Sequence, residues 1–141
     1  MTPQSVSGDP FAAFSGQNYL SLETYRRDGT GVRTPLWFAA APDAPVLFVY
    51  TLANSGKVKR LRRAPSARIA PCDMRGTIRG GWMAVQAEFV SGAQYRHGMR
   101  LLDRKYWPMK PLMNLVTALL PNRRRVVIAL RPVTATSPEA A

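Results

Sequence analysis

The sequence predicts a mainly β domain, a small six-stranded antiparallel barrel with helical insertions. Short apolar or alternating runs are separated by Pro and Gly turn signals. The early turns are spaced for hairpins, and helix-periodic segments follow the third and fifth runs. That order of elements suits a closed or nearly closed antiparallel sheet. A chain of 141 residues with 46% hydrophobic residues fills one core, whereas two domains would each be too small to bury enough surface.

Residues 1–17 are rich in Ser, Gly and Pro and read as a flexible arm with a short helical piece at Phe11–Phe14. The domain proper runs from 18 to 132. Tyr19–Tyr25 alternates, with Leu20 and Leu22 on one face and Ser21 and Glu23 on the other, which predicts a half-buried strand. Asp28-Gly29 marks a hairpin turn, and Val32–Ala40 is the return strand. Pro35 has no N–H to give a sheet ladder, so it marks an edge or a bulge. Pro42-Asp43-Ala44-Pro45 turns the chain into a third strand, Val46–Leu52. A short basic helix follows, with Ser55 as N-cap and Pro65 as its stop. Ala67–Cys72 is the fourth strand, Met74–Gly81 a glycine-rich basic loop and Trp82–Val90 the fifth strand. Ala93–Trp107 is helical although Gly98 weakens it, Leu112–Leu120 is a second short helix, and Val126–Leu130 is the sixth strand. Residues 133–141 read as a frayed tail.

The formal net charge is +12, and it is concentrated. Residues 57–81 carry eight basic residues against Asp73 alone, and residues 93–131 carry nine against Asp103 alone. Such a surface attracts anions: nucleic acid, anionic lipid, or a phosphorylated or polycarboxylate small molecule. The longest apolar run, Leu112–Leu120, is too short to span a bilayer, and the N-terminal residues lack the basic and apolar regions of a signal peptide. A soluble cytoplasmic protein with no membrane partner is the expectation. One cysteine, Cys72, excludes an intrachain disulfide.

The stretch YTLANSGKVKRLRRAP concentrates the chemistry. At about 100° per residue, Val58 and Leu61 share the buried face of the helix. Lys57 and Arg62 border that face, and Lys59, Arg60 and Arg63 point away. Lys57 lies in the first turn, where free N–H groups and the positive dipole end disfavour a cation. An anion held by Ser55, the N–H groups and Lys57 gives that lysine a role. Spacing alone is equally compatible with a solvated basic helix.

No other pattern specifies a reaction. His97 is the only histidine and has no triad or metal-ligand spacing around it. Cys72 sits in an apolar strand as a small core residue, and Trp37, Trp82 and Trp107 read as core or interface anchors. No phosphate-binding Gly-rich loop of the Walker or dinucleotide type is present. Catalytic residues are unknown from the sequence, and no metal is expected.

Three segments, YLSLETYRRDGTGVRTPLWF, VLFVYTLANSGKVKRLRRAP and ARIAPCDMRG, occur in that order. Together they resemble the split β-barrel, FMN-binding superfamily of pyridoxamine 5′-phosphate oxidase. More narrowly they are similar to its deazaflavin branch, which uses coenzyme F420. The resemblance covers roughly Tyr19 to Pro132. It implies a homodimer with the cofactor in a groove between subunits. It implies that Tyr50, Thr51, Ser55 and Lys57 form the phosphate-binding turn, with Arg60 assisting, and that Thr34, Pro35, Leu36 and Trp37 lie along the ring. Two positions depart from the pattern: Gly56 stands where pyridoxamine phosphate oxidases commonly carry arginine, and Trp82-Met83-Ala84-Val85 replaces a Trp-Val-Glu-Gly-like run.

The deazaflavin tail carries a phosphodiester and several carboxylates, and Arg60, Arg62, Arg75 and Arg79 offer a basic track for it. The function that follows is an oxidoreductase passing hydride between F420 and a small conjugated substrate. An FMN-binding oxidoreductase or flavin carrier is the alternative. A basic nucleic-acid-binding module ranks third, because the aromatics are not interleaved with the basic run at 57–63.

Overall fold

The computed structural model describes residues 9–107 and 124–133. The strands are β1 (Tyr19–Tyr25), β2 (Gly31–Leu36), β3 (Phe38–Ala40), β4 (Leu47–Leu52), β5 (Ser66–Cys72), β6 (Met83–Val90) and β7 (Arg125–Pro132). Helix α1 (Gly56–Arg63) follows β4, and helix α2 (Gly92–Lys105) follows β6. The predicted helix Leu112–Leu120 lies outside the described residues.

All seven strands join one antiparallel sheet in the order β2-β1-β5-β6-β7-β4-β3. The predicted strand Val32–Ala40 is therefore two strands, which corrects the expected count of six. Its first part pairs with β1 (Thr34 opposite Leu22) and its second with β4 (Phe38 opposite Val49). The two halves are the two edges of the sheet, and Trp37 alone joins them. A sheet whose edges are covalent neighbours must curl until they meet. It is not closed by a hydrogen-bonded ladder there. Pro35 occupies edge strand β2, where its missing N–H leaves no gap in an inner ladder.

Curling gives the sheet an inside. Leu20 and Leu22 of β1, Val49 of β4, Ile69 of β5, Val85 of β6 and Ile128 of β7 meet there with Phe38 and with Leu61 of α1. Phe11, which precedes a short 3-10 turn, and Phe14, its last residue, are buried against the same core. Helix α2 covers the outer face of β3, β4 and β7, so β4 is apolar on both sides: Leu47 and Val49 face in, Phe48 faces α2. Gly98, weak by helix propensity, makes that contact possible. A Cβ there would lie 3.0 Å from both Phe48 and Val127.

β1 is buried on both faces rather than half-buried. Ser21, Glu23 and Thr24 are covered as completely as its leucines. The alternation correctly placed Leu20 and Leu22 on one face, but polar residues on the other do not require solvent when they find partners. Helix α1 seats Val58 and Leu61 with 1% of each exposed. Burying two such side chains contributes about 1.5–3 kcal/mol each, enough to hold a strongly basic two-turn helix on the barrel.

Candidate functional site

The turn from β4 into α1 gathers the residues that the sequence singled out. Backbone bonds fix it: Ala53 N–H donates to Arg124 O (2.8 Å) and Ser55 N–H to Leu52 O (3.1 Å). Ser55 takes the extended N-cap conformation (φ −73°, ψ 158°), as expected. Its side chain makes no cap bond, which corrects that part of the expectation. Its Oγ is buried and has no hydrogen-bond partner among the described residues. A buried hydroxyl without a partner is costly, and a native site usually supplies one.

Two cations converge on the same turn. Lys57 Nζ donates to Thr51 Oγ1 at 3.3 Å. Burial, and then the nearby Arg60 guanidinium, hold the Lys57 ammonium below its ordinary pKa. Arg60 does not point away from the barrel, as the helical wheel suggested. Its Nε donates to Thr24 Oγ1 at 2.7 Å. Its guanidinium folds back over the first turn, and a Cβ on Gly56 would lie 2.9 Å from one of its terminal nitrogens. The first turn holds no acidic residue. Among the described residues no carboxylate forms an ion pair with Lys57 or Arg60. Two cations, helix N–H groups and a hydroxyl lacking a partner match the donor set of a phosphate site. The rest of the basic run is outward: Lys59 is exposed, Arg62 lies 4.2 Å over the Phe89 ring, and Arg63 donates to Tyr25 O at 2.6 Å.

The residues expected along a cofactor ring form a second group. Thr34, Pro35 and Leu36 lie on the edge strand β2. Trp37, at the corner, stacks on Tyr106 at 4.6 Å with 10° between the planes. Tyr50 and Trp37 pack against the same small cluster of Ala39, Leu102 and Tyr106. Burial pushes the Tyr50 phenol up. Arg75 is exposed in a loop pinned by Asp73, whose Oδ1 accepts from the N–H groups of Arg75 and Thr77 (2.9 Å each). Gly76, at φ +91°, carries that loop past Pro35. Thus Thr51, Ser55, Lys57 and Arg60 form one constellation. Pro35 and the Arg75 loop adjoin each other on another part of the surface.

Sequence reasoning missed Thr24 and Tyr106, and it noted Gly56 only as a departure from the family pattern. Thr24 shares the inward face of β1 with Leu20 and Leu22, and a polar residue on a buried face calls for a partner. The Tyr106 hydroxyl accepts from Phe38 N–H (3.0 Å) and lies within donor reach of Phe38 O (2.7 Å) and Asn18 O (2.8 Å), fixing the corner after Trp37. Lys105 Nζ also donates to Phe38 O, at 2.8 Å, and burial lowers its pKa to about 8 although much of its stem is exposed. A cavity of about 970 Å³ lies apart from the cofactor candidates, walled by Phe11, Phe14, Phe38, Leu47 and Lys105 among others.

Elsewhere on β1, Glu23 receives a different arrangement. It is buried and accepts from Tyr25 OH (2.8 Å), Arg33 Nε (3.0 Å) and Arg68 Nε (2.8 Å). Arg33 and Arg68 also lie 4.6 and 4.9 Å from the Trp82 ring. Burial pushes the Glu23 carboxyl up, but these donors outweigh it and hold the pKa below the ordinary value.

No protein-family model and no curated protein matches the chain. Solved structures do. A pyridoxamine 5′-phosphate oxidase-related, FMN-binding protein from Nostoc punctiforme is 20% identical with TM-score 0.57, over 82% of this chain and 71% of that one. A conserved hypothetical protein from Mycobacterium tuberculosis is 19% identical with TM-score 0.64, over 95% of this chain and 82% of that one. The heme storage protein HutZ from Vibrio cholerae is 12% identical with TM-score 0.65, over 85% and 84%. At these identities the likeness is one of fold: the chain shares the split-barrel architecture of the pyridoxamine 5′-phosphate oxidase-related proteins. Among the described residues no helix is long and apolar enough to cross a membrane.

Proposed function

We propose that this chain is an oxidoreductase that binds a flavin-type cofactor by its phosphate at the β4–α1 turn, with the deazaflavin coenzyme F420 as that cofactor. One observation carries the reading. The buried Ser55 Oγ has no partner among the described residues, and the same turn carries two cations, Lys57 and Arg60, that no acid of the described chain neutralises. A phosphate completes all three.

When bound, the cofactor supplies hydride transfer to or from a small conjugated substrate. The chain's own residues anchor and orient it. Thr51 positions the Lys57 ammonium, and Ser55 and the first-turn N–H groups donate to phosphate oxygens. Thr34, Pro35, Leu36, Trp37 and Tyr50 provide the surface for the ring, and Arg75 lies toward a charged tail. In this reading two copies of the chain enclose the cofactor between them.

FMN is the second reading, favoured by the FMN-binding protein among the structural relatives. Fluorescence titration of the cofactor-stripped protein with F420 and with FMN decides between them. Tighter F420 binding supports the proposal. Preference for FMN keeps the anchor and changes the cofactor. Binding of neither overturns both. Light scattering with and without the bound cofactor tests the dimer.

A further inference from the structure

Arg60 lies one turn after Gly56 on the same face of α1, and helical side chains lean back over the preceding turn. Two features decide that its guanidinium rests there against the barrel and not in solvent. Thr24 Oγ1 accepts from Nε at 2.7 Å and fixes the stem against β1. Gly56 removes the obstacle, since any β-carbon at that position would sit 2.9 Å from a guanidinium nitrogen. Gly56 has no positive φ in this structure, so backbone conformation does not explain the glycine. The space it leaves does. With Nε occupied by Thr24, the terminal nitrogens remain as donors beside Lys57. They share that place with no carboxylate among the described residues.

We infer that Gly56, Thr24 and Arg60 act as one device. Gly56 and Thr24 are positioning residues that set Arg60 as a second phosphate ligand, alongside Lys57, at the α1 N-terminus. This rests on the phosphate-anchor reading and deepens it. The device makes the site selective for a phosphate over a neutral group, because two cations held together without a counter-ion repel each other until an anion joins them. It also assigns the glycine at the helix start a specificity role that helix propensity alone would not suggest.

The test compares each cofactor with its phosphate-free core, FMN against riboflavin and F420 against its deazaflavin core, so that ring binding cancels. For FMN the ratio of the two affinities measures the phosphate contact; for F420 it measures the phosphodiester together with the carboxylate tail, and the change of that ratio in the variants isolates the phosphate part. In the native chain the ratio is expected to exceed about a hundredfold for the preferred cofactor, since charge-assisted hydrogen bonds are the strong ones. Thr24→Val, which keeps shape and loses the acceptor, should lower it roughly threefold to tenfold. Thr24→Ser, which keeps the hydroxyl, should restore it. Gly56→Ala should lower it about tenfold while leaving riboflavin binding and the melting temperature nearly unchanged. A ratio that collapses in Lys57→Ala but is unmoved by Gly56→Ala and Thr24→Val overturns this inference and leaves the anchor reading intact. A ratio near one in the native chain overturns both.

Discussion

Glu23 and Thr24 are neighbours on β1, and alternation sends their side chains to opposite faces of the strand. Each receives arginine. Glu23 draws Arg33 and Arg68 and neutralises charge with charge. Thr24 draws Arg60 and offers only a hydroxyl. The first cluster carries a carboxylate of the chain, one negative charge shared by two arginines, and it serves the fold, tying edge strand β2 to β1 and β5. The second is electrically incomplete. Basic residues of the same kind thus differ in purpose according to whether the chain carries their counter-ion, and that difference is invisible to a net charge of +12.

The sharpest way to break the comparison is at Lys57. Lys57→Ala should reduce the phosphate-dependent part of cofactor affinity about a hundredfold. It should leave the melting temperature unchanged or slightly raised, because it deletes a desolvated cation. Calorimetric titration and a thermal melt on one sample check both. Glu23→Gln should do the converse. It should cost about 2 kcal/mol of stability in a urea titration, because a charged acceptor of three donors is lost, and should leave cofactor affinity alone.

The two clusters should also answer to opposite ends of the pH scale. The Glu23 pKa is lowered in the folded chain, so its contribution is present above the unfolded value of 4.5 and is lost as pH falls through the folded pKa. The stability gap between the native chain and Glu23→Gln should therefore close in acid. The Lys57 pKa is lowered in the free protein, so the phosphate-dependent affinity should decline as pH rises, at lower pH than the ordinary lysine value of 10.5. Titrations at a series of alkaline pH values measure that decline. The smallest effect belongs to Arg62, a solvated cation over Phe89. Arg62→Ala should change stability by no more than about 1 kcal/mol and cofactor binding not at all.

Much of this was legible beforehand. The strand periods, the Asp28-Gly29 hairpin and the helix between Ser55 and Pro65 follow from local chemistry, and the structure repeats them closely. The break at Trp37 was not legible. VRTPLWFAA contains no turn residue beyond Pro35, and the chain changes partners there because β1 and β4 lie on different sides of the barrel corner, a tertiary fact. Double burial of β1 escaped for a related reason: Ser21 and Glu23 read as solvent-facing until the strands that cover them, and the Arg33 and Arg68 partners of Glu23, are known. Lys57 and Ser55 stood out as candidates by position, although spacing alone fitted a solvated basic helix equally well. Arg60 was placed in the site only by resemblance, because a helical wheel locates a Cβ and not the end of a long side chain.

The last strand of the sheet to be synthesised is a central one. β7 lies between β6 and β4, with Ile128 opposite both Phe89 and Val49. On the ribosome, β1 to β6 are made before the strand that links β6 to β4 exists. Until then the β3–β4 hairpin has no ladder to the remainder, and the apolar edges of β4 and β6 stand open to other chains. Folding must therefore end with a nonlocal insertion, which favours a slow last step and makes nascent chains halted before residue 125 prone to aggregate.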